Sequence, residues 1–505
     1  MTTRLRATSG SAVPETAWRP LLATAAAVVA VLVLTAGRYG YHRDELYFLR
    51  AGRHLDWGYV DQPPLTPLLA RLISAIAPES LTALRLPSAL ATGLVVLLTG
   101  LIARELGAPR RAQLLAGACM AVSALLLALG HLLSTSTFDL LAWTAISWLV
   151  VRVLRGGDQR LWLAIGLVAG VGLLNKALVA FLAAGLVTAA MIAGPRDILR
   201  SRWLWLGAAI TAALWSPNLA WQASHGWPQL ELSRAIAAGS SGTSVDRVAF
   251  VPYQLVLISP LLVPVWLVGL VRLLRDPAMR RVRAFGWVYL LLLVVFVLTG
   301  GKPYYLGGLY PVLLAAGAEP TLGWLHRGNE RVRRFLLGTA LALGGLVSSV
   351  LMLPLVPAHF LHATPVVAVN YDAGETVGWP RFVGEVAAVY RGLSEDERAR
   401  AVLLTRNYGE AGALDRYGPP LGLPPAYSGH NSYWSWGPPA DTGGPVIAVG
   451  LPEQRLQPFF GQIQLAGRID NGLAVENDEQ GAPIWICRRP LLGWAQIWPQ
   501  LRRLG

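Results

Sequence analysis

The sequence predicts an all-α polytopic membrane protein of about eleven spans, followed by a small C-terminal α/β domain. Three observations carry that expectation. Of 505 residues, 54% are hydrophobic and 14% charged, where a soluble protein of this size carries about 25% charge. The apolar residues come in runs long enough to cross a bilayer rather than in alternation. The arginines, which dominate a net charge of +14, sit in short clusters between those runs. That is the pattern of topology signals, so the expected surroundings are a lipid bilayer and no nucleic acid.

The first run, Leu21–Ala36, follows Arg4, Arg6 and Arg19. It looks like a secretory leader, but more spans follow and no clear cleavage site precedes the acidic residues beyond it. It reads as a retained first helix. Candidate spans lie at about 20–37, 86–103, 112–130, 137–151, 161–175, 177–194, 203–222, 250–271, 284–299, 304–322 and 335–356. The fifth and sixth could form one kinked segment. The polar joint Asn175-Lys176 argues for two, because splitting there keeps every later loop on a consistent side.

The loop charges then define two faces. Arg104/Arg110/Arg111, Arg152/Arg155/Arg160, Arg196/Arg200/Arg202, Arg272 to Arg283 and Arg327 to Arg334 share one face, which the positive-inside rule makes cytoplasmic. The opposite, external face of the plasma membrane receives the first loop (38–85), the 223–249 loop and the C-terminal tail. Within the first loop, Gly40-Tyr-His-Arg-Asp-Glu-Leu-Tyr-Phe48 packs acids, bases and aromatics directly behind the first span. Asp61-Gln-Pro-Pro64 reads as a helix start with Asp61 as N-cap. The helix it opens, Leu65–Ile76, is too short to span and should lie in the interface plane.

Around residue 357 the character changes, so the expected domains are 1–356 in the membrane and 357–505 outside it. In the tail, Val366–Val369, Ala401–Thr405 and Val446–Val449 look β-like, whereas Pro380–Leu393 and Tyr408–Tyr417 look helical. Cys119 lies in an apolar run and Cys487 near the C-terminus, so no disulfide is expected between them.

Charges beside a membrane are costly unless used or paired. Asp44 and Glu45 follow the first span, Asp139 opens the fourth, Lys176 sits at the joint, and Lys302 follows the ninth. Of 43 basic residues only Lys176 and Lys302 are lysines. A compact ammonium on a flexible stem suits a phosphate held at an interface. The plainer alternative is that both snorkel to lipid headgroups. A carboxylate beside a carboxylate suits a general base, and Asp44 is the candidate for that role, with Glu45 as a supporting acid. Asp139 and Asp61 could cap helices or support the site. Arg234, in the 223–249 loop, is either a phosphate ligand or a solvated charge. His42, His131 and His225 could join Asp44 and Asp139 around a divalent metal, although no HxxxH or cysteine pattern supports one. The aromatic stretch Tyr427–Trp436 could stack on a sugar or pack a core.

Together, Tyr41-His-Arg-Asp-Glu-Leu-Tyr-Phe48, Asp61-Gln-Pro-Pro-Leu65, Asp139, Asn175-Lys176 and Lys302-Pro-Tyr-Tyr305 with Tyr310-Pro311 resemble the bacterial family-39 glycosyltransferases of the GT-C superfamily. Protein O-mannosyltransferases and the aminoarabinose transferase of lipid A are better-known relatives. The resemblance covers about 38–320 and implies a GT-C fold of about 11–13 transmembrane helices. It also implies a polyprenyl-phosphate sugar donor, a protein, lipid or glycan acceptor, and transfer with inversion. The acid of the first external loop, here Asp44, would activate the acceptor hydroxyl. Lys176, Lys302 and Arg234 would hold the donor phosphate, with Tyr304 or Tyr305 as hydroxyl donors. One position departs: the lipid A enzymes have Glu-Lys-Pro-Pro where this chain has Asp61-Gln-Pro-Pro64, so a lipid-A-type acceptor is not implied. A transporter or flippase is the competing class, and an envelope scaffold a third. Neither accounts for acids and lysines gathered at one face without an internal repeat.

Overall fold

The computed structural model of the chain describes residues 13–239 and 246–505; Arg4 and Arg6 lie outside them. Each predicted span is helical. Helix α1 (Trp18–Thr35) buries Leu21, Ala25, Val28 and Leu32, one side of the helix, against α4 (Leu81–Glu105). The third span is broken into α5 (Arg110–Ala121) and α6 (Ala124–His131), bent by 58° where Ser123 caps the second piece. Then come α7 (Thr135–Leu154), α8 (Leu161–Leu173), α9 (Leu178–Ala193) and α10 (Arg202–Ser224). Beyond a short α11 (Pro228–Ala237), the next span is also broken, into α12 (Arg247–Ile258) and α13 (Val263–Arg275), bent by 84° around Ser259-Pro260. Helices α14 (Ala284–Thr299), α15 (Tyr310–Leu325) and α16 (Glu330–Met352) complete the bundle. Among the described residues, four helices are long and apolar enough to cross a membrane alone, or six if each bent pair is one span. The rest of the bundle is built from shorter or more polar helices.

Close approach in the bundle is made by glycine. Helices α13 and α15 cross where Gly269 faces the Leu313 carbonyl and Gly317 faces the Val265 carbonyl; a Cβ at either would overlap backbone. Small residues at such crossings let helices pack where no hydrophobic force separates lipid from protein.

The arginine loops share one end of this bundle. Arg155 reaches the Ala278 carbonyl (3.4 Å) and Arg281 pairs with Asp197 (3.6 Å). The other end carries α2 (Arg43–Ala51) and α3 (Leu65–Ile76). Helix α3 exposes Leu68, Leu72 and Ile76 four residues apart, while Thr66, Pro67 and Ala70 are buried. Asp61 does not cap this helix: Pro64 occupies the N-cap, because the double proline delays the first helical turn past it.

The C-terminal part opens with α17 (Val366–Val369) and α18 (Tyr371–Gly374). The valine run is therefore one helical turn, not a strand; Pro365 starts it and, among the described residues, no strand lies beside it to complete a ladder. After α19 (Trp379–Arg391) and α20 (Glu395–Arg400), the chain forms β1 (Val402–Thr405), α21 (Tyr408–Tyr417), β2 (Ala426–Ser428), α22 (Ser432–Ser435) and β3 (Val446–Val449). A short α23 (Glu453–Leu456), a hairpin of β4 (Phe460–Arg468) and β5 (Pro483–Pro490), and α24 (Trp494–Leu501) follow. The sheet order is β2-β1-β3-β5-β4, with the first three strands parallel and the hairpin antiparallel.

One apolar core joins the first loop to this part. Tyr41, Leu46, Tyr47 and Phe48 pack with Trp379, Phe382, Leu403 and Ala411. Cys119 and Cys487 are both free and buried.

Candidate active site

Helix α2 starts at a capping box, with His42 accepting from the Asp44 backbone N–H and Glu45 accepting from the His42 N–H. A capped start fixes the directions of the next residues, and the two neighbouring acids leave the helix about 100° apart. Glu45 is fully buried. The Arg85 guanidinium from α4 binds it through two nitrogens (2.9 and 2.8 Å), and the Leu133 N–H adds a third contact (2.9 Å). Arg85 also donates to the Ala36 and Gly40 carbonyls (2.6 and 2.8 Å), so this pair ties α1, α2 and α4 together. The charge of Glu45 is met by Arg85.

Asp44, by contrast, has its side chain 42% exposed. Tyr408 of α21 donates its hydroxyl to Oδ1 at 2.7 Å, and His42 Nδ1 lies 4.0 Å from Oδ2. His42 also contacts Asp372 of α18 at 3.5 Å. Desolvation pushes the His42 ring toward neutrality, but Asp372 and Asp44 outweigh it and hold its pKa above the usual value. Arg43 anchors the opposite side of the helix start to Tyr371 (2.9 Å), Glu375 (3.4 Å) and Asp478 (2.9 Å).

The lysines come from the other side. Asn175 is buried at the α8–α9 joint, accepting from Thr66 (2.8 Å) and donating to the Thr135 carbonyl (2.7 Å). The next residue, Lys176, donates to Ser136 Oγ (2.7 Å), and its ammonium lies 5.3 and 5.4 Å from the ring centres of Tyr304 and Tyr305. Lys302 sits 6.0 Å from the Tyr304 ring, at the start of a 3-10 turn, Pro303–Leu309. That turn is pinned by Gln254 of α12, whose amide donates to the Pro303 carbonyl (3.0 Å) while Tyr310 donates to its oxygen (3.0 Å). Desolvation lowers both lysine pKa values, and the neighbouring Lys176 charge lowers that of Lys302 further, to about 8. Both ammoniums feel the Asp44 charge, and Lys176 also feels Asp139. Asp139 lies a turn inside α7, whose cap is Ser134.

So Asp44, Lys176, Lys302, Tyr304, Tyr305 and Asp139 form one neighbourhood at the end of the bundle opposite the arginine loops. Asp61 borders it, accepting from Tyr47 (2.7 Å) and Asn431 (3.3 Å); desolvation raises its pKa to about 7. Arg234 is exposed on α11 and makes no hydrogen bond or ion pair with the others among the described residues. His131 lies close enough to His42 to feel its charge, whereas His225 stacks on Trp221 at 4.0 Å. No group of three or more His, Cys, Asp or Glu among the described residues could hold a metal ion, so the residues present do not fit the divalent-metal site. The aromatic stretch packs rather than opens, with Tyr433 and Trp436 against Tyr47.

Four participants were not legible from sequence. Asp372, Tyr371 and Tyr408 lie over 300 residues from Asp44, in segments without a chemical pattern. Arg85 carried a faint signal, as a lone arginine at the start of an apolar run.

Residues 61–221 match the family described as dolichyl-phosphate-mannose-protein mannosyltransferase. No curated protein matches the sequence. Among solved structures, ArnT from Cupriavidus metallidurans bound to undecaprenyl phosphate superposes with a TM-score of 0.60 at 15% identity. That match covers 92% of this chain and 97% of the other. The apo state of the same protein gives 0.59 at 14% identity over the same shares. The arabinofuranosyltransferase AftD from Mycobacteria gives 0.50 at 16% identity, over 94% of this chain and 40% of its own. The chain therefore has the ArnT-like GT-C fold, an all-α membrane bundle with a small C-terminal sheet.

Proposed function

We propose that this chain is an integral membrane glycosyltransferase that moves a hexosyl or pentosyl group from a polyprenyl-phosphate donor to an acceptor hydroxyl. One observation carries the reading. A half-exposed carboxylate, Asp44, shares a neighbourhood with the chain's two lysines, on a fold that in ArnT holds undecaprenyl phosphate.

The chemistry divides between the two sides. Asp44 takes the acceptor O–H proton as the oxygen attacks the anomeric carbon. The bond from that carbon to the phosphate oxygen breaks on the opposite face, so configuration inverts. The electron pair leaves with the polyprenyl phosphate, where Lys176 and Lys302 offset the developing charge and the Tyr304 and Tyr305 hydroxyls can donate. Tyr408 and His42 hold Asp44 in place. Arg234 would join only if α11 brought it inward. Glu45 acts at one remove, fixing the α2 start through Arg85, and Asp139 and Asp61 act as supporting acids. Gln62 stands where a lipid-A-type transferase has lysine, which supports an acceptor of another kind: protein, lipid or glycan.

The positive-inside pattern supports an external active site at the plasma membrane. The division at about residue 356 then separates roles, with membrane helices holding the donor and the α/β part framing the acceptor side. The transporter reading gains no support, because the charged groups gather at one end of the bundle.

The test is transfer from a labelled polyprenyl-phosphate sugar by purified protein. Asp44→Asn should lower turnover by on the order of 10²–10⁴-fold with the fold intact. Full activity in that variant would sink the mechanism. No consumption of any polyprenyl-phosphate sugar by wild type would sink the reading itself.

A further inference from the structure

Behind α2, on the side away from Asp44, lies a cavity that the transfer chemistry does not use. Successive residues of a helix turn by about 100°, so Leu46, Leu49 and Arg50 point roughly 140–240° away from Asp44. With Arg53 in the turn after α2, Arg71 and Ser74 of α3, and Asp415 and Arg416 of α21, they line a space of about 170 Å³. One water needs only about 10–15 Å³, so the space admits a polyatomic ion.

Its charge is one-sided. Four arginines face one carboxylate. Asp415 is already engaged, contacting Arg50 at 3.4 Å and accepting from Tyr433 (2.9 Å) and the Ala426 N–H (3.1 Å). Arg416 lies over the Tyr41 ring at 5.5 Å, and its ion pair is a distant one with Glu79 (3.9 Å), which is 86% exposed. Arg53 and Arg71 form no side-chain hydrogen bond or ion pair among the described residues. Gathering like charges at a cavity costs free energy unless an anion offsets it, and planar guanidiniums match phosphate oxygens in pairs.

The location narrows the anion. Arg71 and Ser74 lie on one face of α3, while Leu68, Leu72 and Ile76 form its exposed apolar stripe. An amphipathic helix with this division lies in a membrane interface, at the depth of headgroup phosphates.

We propose that the cavity between α2, α3 and α21 is a phosphate-binding site, held chiefly by Arg53, Arg71 and Arg416, whose natural occupant is the headgroup of an anionic lipid. It is separate from the Lys176–Lys302 neighbourhood and does not depend on the transferase reading. Occupancy braces the back of the helix that carries Asp44.

The test uses full-length protein. In nanodiscs, native mass spectrometry would compare retained phosphatidylglycerol with phosphatidylcholine; in detergent, melting would be followed with added inorganic phosphate. Wild type should prefer phosphatidylglycerol, and the double variant Arg53→Gln/Arg71→Gln should lose that preference by on the order of tenfold or more. Arg53→Lys/Arg71→Lys, which keeps the charge, should retain part of it. Stabilisation by free phosphate, lost in the glutamine variant and unaccompanied by lipid preference, would keep the site and reassign its source to a soluble phosphate. Preference and stabilisation that persist unchanged in the glutamine variant, or that wild type lacks, would overturn the proposal. If the double variant misfolds, Arg71→Gln alone serves, since Arg71 is exposed on α3.

Discussion

Asp44 and Glu45 are neighbours in sequence with opposite physical circumstances, and substitution should separate them. Glu45→Gln leaves Arg85 buried without a full counter-charge, which costs about 3–5 kcal/mol, so thermal melting should fall sharply. Asp44→Asn removes a half-exposed carboxylate and should leave melting nearly unchanged while turnover collapses. If instead Glu45→Gln melted like wild type, the structural role of Glu45 would be wrong. The lysines predict a pH dependence. A Lys302 pKa lowered to about 8 means the ammonium is present below that pH and lost above it. On the transferase reading, kcat/KM for the donor should fall as pH rises through about 8, and Lys302→Arg should carry the fall to higher pH. A pH profile identical in the two proteins would remove Lys302 from phosphate binding. At this scale the sequence was informative where chemistry is unusual: the acidic pair and two lysines among arginines stood out. Asp372 and Tyr408 did not, because a single acid or tyrosine in a segment of mixed polarity has no contrast with its surroundings.

Among the elements, hydropathy located the helices of the bundle, since burying a continuous apolar run leaves few alternatives to helix; four of them, or six with the bent pairs, are long and apolar enough to cross a membrane among the described residues. The breaks inside two spans were missed. Ser123 and Ser259-Pro260 interrupt the hydrogen-bond ladder without interrupting hydropathy, and a window average does not register that. The turn Val366–Val369 was misread for a related reason: β-branched residues favour strands only when a neighbouring strand completes the ladder. The polar joint Asn175-Lys176 was legible as a break, but its purpose needed three dimensions. Asn175 stitches the α3 and α7 starts together and thereby aims Lys176. Asn175→Ala should strand the Thr135 carbonyl and the Thr66 hydroxyl, costing about 1–3 kcal/mol. Donor KM should rise with it, and a change in melting without any change in KM would confine Asn175 to a scaffolding role.

For the whole molecule, the charge asymmetry of the loops makes orientation testable. Cys119 and Cys487 are buried, so wild type supplies its own unreactive background. Gln454→Cys, exposed on the sheet part, should react with an impermeant thiol reagent in intact cells, whereas Arg327→Cys on the arginine face should react only after lysis. The reverse pattern would invert the topology. Composition and loop charge made the membrane bundle readable, but not the way the tail embraces the first loop, because that contact depends on residues more than 300 positions apart.

That embrace has a consequence for how the chain is made. Synthesis proceeds from the N-terminus, so the loop bearing Asp44 leaves the ribosome early, with Leu46, Tyr47 and Phe48 still uncovered. Their partners Trp379, Phe382, Leu403 and Ala411 arrive only after the last span has been inserted. The first loop is thus among the earliest segments translated and the latest to settle. A chain cut short after α16 would carry both lysines and the acid, yet would lack Tyr408, whose hydroxyl holds Asp44 at 2.7 Å.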